Sequence, residues 1–274
     1  MQTFSARPSP GRAPYGRAVA PRAVIFDLDD TLIVEERTAR ASLRATSRLL
    51  PGADPGRVEE VVLAAARGAW RAGPYHGLAL ALGFASWEGL WATFEGGHPS
   101  LAGLAAWVPT HRRQAWAAAV AELGLDDPGL APAMAAAYVE AQRAGHPLIA
   151  GAAETVRAAA ARYRLGLLTN GPPDIQRRKL ERTGLAGCFA AVGISGETGV
   201  GKPSPEAFRL VLRTLGVRPE EAVMVGDSRE RDVEGALAAG VRPVWIAAGR
   251  PVPAGGPDVA AVPSVAALGT VLEL

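Results

Sequence analysis

The sequence predicts an α/β protein: a Rossmann-like parallel sheet with helices on both faces, plus an inserted all-helical segment. Short apolar runs alternate with helical patterns after residue 150, which is typical of a mostly parallel sheet. A first apolar run lies near the start of the chain, and over a hundred residues without a convincing strand separate it from the second. Three of the runs end in polar residues, and ligands of such sheets bind outside the carboxyl ends of the strands.

Five apolar runs are the predicted strands, and four helical patterns separate them. The predicted strands are Ala23 to Asp27, Tyr163 to Gly171, Ala190 to Ser195, Glu221 to Ser228 and Val241 to Gly249. The predicted helices of this part are Ala152 to Arg162, Pro173 to Thr183, Ser204 to Leu215 and Glu230 to Ala239. Pro243 has no N–H for a ladder hydrogen bond, so it indicates an edge strand or a late strand start.

The segment between the first two strands has helical patterns throughout. The predicted helices are Glu36 to Leu50, Pro55 to Arg71, Trp87 to Glu95, Pro109 to Leu123 and Pro132 to Ala144. We therefore predict a helical domain at 35–146 and an α/β domain at 23–34 and 147–274. The helical domain should cover the mouth of the sheet. It holds all four histidines, whose spacing does not fit a metal site.

The ends and the composition exclude several classes of protein. Residues 1–22 are rich in Pro, Gly and Arg, contain no acid and lack the apolar core of a signal peptide, so they predict a disordered basic leader. No apolar run approaches the roughly 18 residues of a membrane span. A single cysteine, Cys188, excludes an intramolecular disulfide and fits a cytoplasmic protein. We expect no membrane partner, and only the leader would favour nucleic acid.

Four acids lie at the predicted strand ends: Asp27, Asp29, Asp227 and Asp232. Carboxylates gathered in one crevice repel and raise the pKa of one another, which a divalent cation and a lysine would relieve. Oxygen ligands of this kind indicate Mg²⁺. One Asp after a strand more often caps a helix, but the whole set on a parallel sheet favours a metal site.

A glycine-rich stretch supplies the lysine. Gly196 to Lys202 fits G-x-x-x-x-G-K, the front of a nucleotide-binding P-loop. Pro203 stands where that loop needs Ser or Thr, and it also removes a backbone N–H, so a P-loop kinase or ATPase is disfavoured. The chain has 27 Arg and two Lys, Lys179 and Lys202. A compact ammonium instead of a planar guanidinium is therefore indicated at Lys202.

Four motifs in this order resemble the haloacid dehalogenase-like (HAD) superfamily. They are Asp27-Leu28-Asp29-Asp30-Thr31 for D-x-D-x-T, Thr169, Lys202-Pro203, and Gly226-Asp227-Ser228-Arg229-Glu230-Arg231-Asp232 for G-D-x-x-x-x-D. The resemblance covers about Ala23 to Gly249. By position and size the helical segment resembles the family's helical cap, inserted after the first motif. The open position at Asp30 has no catalytic role in the motif, and we expect Asp30 to cap the following turn.

The resemblance implies a role for each motif residue. Asp27 would attack phosphorus and form an aspartyl-phosphate, and Asp29 would act as acid and then as base. The implied Mg²⁺ ligands are the Asp27 carboxylate, the Asp29 backbone carbonyl and Asp227.

The remaining implied roles concern the phosphate and its counter-charge. The Thr169 hydroxyl and the Asn170 backbone N–H would bind phosphate oxygens, and Lys202 would neutralise the transferring group. Asp232 would lie beside the metal as a ligand, through water, or as the residue that orients Lys202.

These observations predict a Mg²⁺-dependent phosphatase acting on a small phosphorylated metabolite, such as a sugar phosphate or a nucleoside monophosphate, in a monomer or homodimer. A phosphomutase of the same superfamily remains open, because its chemistry differs only in how water is excluded. A haloacid dehalogenase is less favoured, because such enzymes resemble the chain at the nucleophile but lack the acid at Asp29.

Overall fold

A six-stranded, entirely parallel sheet forms the centre of the molecule, in the order β3-β2-β1-β4-β5-β6. The computed structural model describes residues 19–251 and 259–274. The strands are β1 (Ala23–Phe26), β2 (Arg164–Thr169), β3 (Ala191–Ile194), β4 (Ala222–Gly226), β5 (Arg242–Ile246) and β6 (Ala260–Val262). The predicted fold class is confirmed.

The residues of strand β1 show that both faces of the sheet are covered. All four of its residues are buried. Val24 and Phe26 pack into the apolar cluster on one face, while Ala23 and Ile25 pack into the cluster on the other. Because successive side chains of a strand point to opposite faces, an apolar run without polar alternation requires a cover on both faces.

Helices supply that cover. They are α6 (Ala152–Ala160), α7 (Pro173–Arg182), the single turn α8 (Ser195–Thr198), α9 (Pro205–Leu215) and α10 (Gly235–Ala238), which continues a π-helical segment at Arg229–Glu234. The stop predicted at Gly184 is present, since this glycine has a φ of 67° just beyond α7.

The helical insertion (residues 35–146) lies between β1 and β2 in the chain. Its helices are α1 (Glu36–Ala45), α2 (Pro55–Ala72), α3 (His76–Leu82), α4 (Ala102–Glu122) and α5 (Leu130–Arg143). Its side chains form an apolar cluster that Ile175 of α7 joins. In this cluster the ring centroids of Trp70 and Trp107 are 5.8 Å apart, and those of Trp116 and Tyr138 are 5.9 Å apart. The division into two domains at 35 and 146 stays a prediction.

Two predicted helices of the insertion are wrong in extent. The helix predicted at Trp87 to Glu95 is reduced to a 3₁₀ turn at Glu88–Leu90, because the following backbone N–H groups of Thr93 and Phe94 donate to the Asp174 carboxylate instead of to helical carbonyls. Helix α4 begins seven residues before the predicted start and passes through Pro109, which is exposed. Helix α3 was not predicted.

The edge of the sheet also differs from the prediction. The edge position inferred from Pro243 is wrong, because β5 lies between β4 and β6. The pairing with β6 begins at Val244, one residue beyond the proline. The short strand β6 was not predicted.

The predicted leader falls mostly on residues 1–18, outside the described residues. Arg22, its last residue, donates its N–H to the Glu221 carbonyl and accepts from the Arg164 N–H, which extends the strand pairing by one residue. In the two described stretches, no helix combines the length and the apolar character that a membrane crossing requires.

Candidate active site

The predicted site residues meet at the carboxyl edge of the sheet. Strand order reverses between the neighbours β1 and β4, and Asp27 and Asp227 directly follow these two strands. A crevice at such a reversal is the usual ligand site of an open parallel sheet. Here it is a cavity of about 190 Å³. Its walls include all seven predicted residues: Asp27, Asp29, Thr169, Asn170, Lys202, Asp227 and Asp232.

Lys202 joins two of the carboxylates at the floor of the cavity. Its Nζ donates to Asp27 Oδ1 over 2.6 Å and to Asp232 Oδ1 over 2.7 Å, and all three residues are buried. Burial by itself lowers the pKa of a lysine, but the charges of Asp232 and Asp27 outweigh it and raise the pKa of Lys202. The ammonium is therefore charged, and it lies against the predicted nucleophile.

A cation fits beside this lysine. Asp27, Asp227 and Asp232 each offer a carboxylate oxygen, and these three atoms lie within 4.8 Å of one another. Burial, with the charges of Asp27 and Asp232, raises the pKa of Asp227 to about 7. Arg250 balances part of this charge, with its Nη2 3.3 Å from Asp227 Oδ2. An oxygen-only donor set with surplus negative charge matches the preference of Mg²⁺.

Asn170 links the second and third motifs through its side chain. Its Nδ2 donates to the Lys202 carbonyl over 2.8 Å, and its Oδ1 accepts from the Lys202 N–H over 2.8 Å. The sequence predicted only a backbone role for Asn170. The Thr169 hydroxyl beside it is buried and accepts from Gln176 Nε2 over 2.7 Å. The end of β2 and the lysine segment therefore form one hydrogen-bonded unit.

Asp29 has partners that sequence reasoning missed. Two residues of α7 hold its carboxylate: Gln176 Nε2 donates to Oδ2 over 3.0 Å, and Lys179 Nζ lies 3.1 Å from both oxygens. Burial raises the pKa of Asp29 to about 6, against the lowering effect of Lys179. A carboxyl group in this range exchanges a proton near neutral pH.

Lys179 also contacts two acids of the helical insertion. Its Nζ lies 2.8 Å from Glu35 Oε2 and 3.8 Å from Glu88 Oε1. Burial opposes the ionisation of Glu35, yet Lys179 and His146 lower its pKa to about 2. Burial dominates at Glu88 and raises its pKa to about 8. Lys179 could have been found from the sequence, because it is one of only two lysines in a chain rich in arginine.

Asp30 behaves as the sequence predicted. Its two carboxylate oxygens accept from the backbone N–H groups of Glu35 and Glu36, over 2.9 and 3.3 Å. These N–H groups open α1, so Asp30 satisfies donors that the helix itself leaves free.

A loop of the helical insertion lines the cavity through Gly83, Ala85, Trp87 and Glu88, and two hydrogen bonds join the insertion to α8. Ser195 Oγ donates to the Leu82 carbonyl over 2.7 Å, and the His98 N–H donates to the Gly196 carbonyl over 2.8 Å. Asp174 holds the loop at residues 93–94 between these points. Residues 195–198 form the single turn α8, so the P-loop-like stretch serves as a support for the insertion.

The fold and the site define a class: a parallel α/β sheet that carries clustered carboxylates and a buried ammonium at its switch point. The haloacid dehalogenase-like hydrolase family model matches residues 21–240. The chain belongs to this family.

Proteins of similar sequence indicate the type of reaction within this family. The chain is 40% identical to a phosphoserine phosphatase of Thermus thermophilus over 247 residues, which is 87% of this chain and 94% of the relative. It is 45% identical to the human N-acylneuraminate-9-phosphatase over 84 residues, which is 30% of this chain and 34% of the relative. The family and the long match make the chain a phosphoric monoester hydrolase.

Solved structures agree with the fold. The HAD-hydrolase YfnB from Bacillus subtilis, in a form bound to magnesium, superposes with a TM-score of 0.65 at 20% identity. The match covers 93% of this chain and all of the YfnB chain. At this identity the likeness concerns the fold.

Proposed function

We propose that this protein is a Mg²⁺-dependent phosphatase that hydrolyses a small phosphorylated metabolite through an aspartyl-phosphate at Asp27. The proposal rests mainly on the position of Asp27. It follows the central strand, its Oδ1 lies 2.6 Å from a buried ammonium, and two further carboxylates offer oxygens close to it. A carboxylate so placed can attack phosphorus while positive charge balances the transferring group.

Mg²⁺ would be held by the Asp27 carboxylate, the Asp29 carbonyl and Asp227, and when bound it would neutralise phosphate charge. Asp232 holds Lys202 through the 2.7 Å contact, so we assign it to orienting this lysine beside the metal. The Thr169 hydroxyl and the Asn170 backbone N–H would bind the phosphate oxygens.

Asp29 would move the proton. When Asp27 takes the phosphoryl group, the leaving oxygen receives the proton of the Asp29 carboxyl. The resulting Asp29 carboxylate then takes a proton from the water that attacks phosphorus. The bond between phosphorus and the Asp27 oxygen breaks, which frees the Asp27 carboxylate and inorganic phosphate. Asp29 can act as an acid in the first half-reaction and as a base in the second, because both half-reactions take place in the same site.

The substrate is proposed from the cavity and the relatives. The cavity has a volume of about 190 Å³ and is lined by residues of both the sheet edge and the helical insertion, which favours a compact metabolite. O-phosphoserine is the first candidate, because the long match is to a phosphoserine phosphatase. Sugar phosphates and nucleoside monophosphates follow. A panel of these compounds, with release of inorganic phosphate as the readout, tests the assignment. A phosphomutase would convert its substrate without releasing phosphate.

The nucleophile is tested by Asp27→Asn. This variant should hydrolyse p-nitrophenyl phosphate at least about 1,000-fold more slowly than the wild type, because an amide is a poor nucleophile. Asp30→Asn is the matched control, because it lies in the same motif and Asn also caps a helix. It should stay within about threefold of the wild type, as expected for a change that removes no catalytic group. Near-normal turnover by Asp27→Asn would refute the mechanism.

The metal site is tested without turnover. Mg²⁺ should raise the unfolding temperature of the wild type, since a ligand that binds the folded state stabilises it. The rise should be smaller in Asp227→Asn. An equal rise in both proteins would place the metal elsewhere. Separately, EDTA should abolish phosphate release, and added Mg²⁺ should restore it.

Three further properties stay proposals from the sequence. They are a cytoplasmic location, a monomeric or homodimeric state, and a disordered basic leader. Removal of residues 1–18, which spares the backbone hydrogen bonds of Arg22, should leave phosphate release unchanged. Light scattering of the full chain measures its mass.

A further inference from the structure

Lys179 is a buried charge that the reaction just described does not use. It lies on the inner face of α7, and 1% of its side chain is exposed. Placing an ammonium in a protein interior is costly unless several partners offset the lost water. The stability of α7 alone does not explain a buried ammonium at this position.

The contacts of Lys179 point to Asp29. The ammonium lies 3.1 Å from both oxygens of that carboxylate, and Gln176, one turn earlier on α7, donates to Oδ2 over 3.0 Å. Two donors on one rigid helix limit the rotation of the Asp29 side chain, and residues three apart lie on the same helix face.

The opposite side of the ammonium belongs to the helical insertion. Glu35 Oε2 lies 2.8 Å from Nζ, and Glu88 Oε1 lies 3.8 Å from it. Glu88 is held in turn by the Ala85 N–H over 2.8 Å. A compact ammonium can contact three carboxyl groups at once, whereas a planar guanidinium would impose a fixed fork. This geometry accounts for a lysine in a chain that uses arginine almost everywhere else.

We infer that Lys179 is a positioning residue that aims the Asp29 carboxyl at the leaving oxygen and ties it to Glu35 and Glu88 of the helical insertion. The inference rests on the proposed function, in which Asp29 is the general acid. In the first half-reaction a bond forms between an Asp27 oxygen and phosphorus. The bond from phosphorus to the leaving oxygen breaks, and the proton of Asp29 moves to that oxygen. Lys179 acts on this last transfer, through Asp29.

The test uses two substrates that differ in their need for a proton. The alkoxide of an alkyl phosphate such as O-phosphoserine leaves only when protonated, whereas p-nitrophenolate leaves without help. The readout is kcat/KM, because in a two-step reaction it covers only the steps up to release of the leaving group. Lys179→Met keeps the length of the side chain and removes the ammonium. Arg178→Met is the matched control, because Arg178 is exposed on the same helix.

Lys179→Met should lower kcat/KM for O-phosphoserine by about 100-fold and for p-nitrophenyl phosphate by less than about fivefold, in line with the usual contribution of general acid catalysis. Arg178→Met should change neither value by more than about twofold, since it removes no contact to Asp29. Equal losses on both substrates, or no loss on either, would overturn the role of Lys179.

Asp29→Asn separates this inference from the proposed function. It should show the same selective loss on the alkyl phosphate. If it does and Lys179→Met does not, the positioning role fails while the general acid stands. If Asp29→Asn shows no selectivity, the assignment of Asp29 fails and the role of Lys179 fails with it.

A second variant keeps the test valid if Lys179→Met does not fold. Lys179→Met leaves the Glu35 carboxylate without its ammonium, and an unpaired buried charge destabilises a protein by several kcal/mol. The double variant K179M/E35Q removes this charge as well. Thermal unfolding shows whether the single and the double variant are folded. Each folded variant should show the selective loss of kcat/KM for O-phosphoserine.

Discussion

His111 of α4 makes the stability of this protein depend on pH in a way that can be calculated. Its ring is fully buried between two indoles, with centroids 4.7 Å from Trp70 and 5.3 Å from Trp107. Burial lowers the pKa of His111 to about 4, against a smaller opposing effect from the backbone of Ser86, and the charge of Arg112 lowers it further. The folded protein therefore resists protonation of this ring.

The sign follows from the two end states. In the unfolded chain His111 has its ordinary pKa of about 6.5, so between about pH 6.5 and 4 the unfolded state binds the extra proton. The free energy of unfolding must fall as the pH falls through this window. The contribution is fully present above about pH 6.5. At pH 5, with pKa values of about 4 and 6.5, roughly 2 kcal/mol has been lost relative to pH 8.

Urea unfolding of the wild type and His111→Phe, at about pH 8 and pH 5, measures this quantity. Phe keeps the aromatic contacts and cannot titrate, and any constant cost of the larger ring cancels in the difference between the two pH values. The wild type should lose about 2 kcal/mol more than the variant. His98→Gln, at an exposed histidine, is the control and should follow the wild type. A difference below about 0.5 kcal/mol between wild type and His111→Phe would refute the burial argument, because it is far smaller than the expected linkage.

Three further changes test the packing around the site. Asp174→Ala should raise hydrogen exchange at residues 93–94 and cost about 1–3 kcal/mol, because the N–H groups of these residues lose their acceptor. Gly226→Ala should lower kcat/KM by at least about tenfold in a folded protein, because the added Cβ would collide with the Asp232 carboxylate. Relative to the wild type, the free energy of unfolding of Glu88→Gln should increase by about 1.4 kcal/mol for each unit of rising pH between about pH 5 and 8. In that window the raised pKa makes the folded protein bind the extra proton, so rising pH destabilises the wild type. Parallel pH curves would contradict this last expectation.

The α/β part of the chain was largely predictable because its signals are local. Apolar runs that end in Asp27, Thr169 and Asp227 mark strands and their carboxyl ends within a few residues. Parallel pairing then brings these ends to one edge without further information. The predicted residues accordingly line one cavity, although their catalytic roles stay proposals.

The helical insertion was less predictable because distant contacts shape its segments. Residues 87–95 have a helical pattern, yet Asp174, about eighty positions away, takes the backbone donors that a helix would use. In α4 the interior Pro109 is exposed, while apolar side chains on either side of it, such as Leu104 and Trp116, are buried in the insertion's core. Burial of these neighbours favours a continuous helix where the proline signal predicted a start.

The sequence by itself determined the parallel sheet, the order of its motifs and the acids and lysine at the strand ends, because each depends on residue type and short spacing. Only the tertiary structure decided the partners of Asp29. Lys179 and Gln176 lie about 150 positions from it along the chain, and Glu35 and Glu88 reach the same ammonium from the helical insertion. Such contacts arise from the packing of α7 against both parts of the chain, and no local pattern encodes which buried charges will meet.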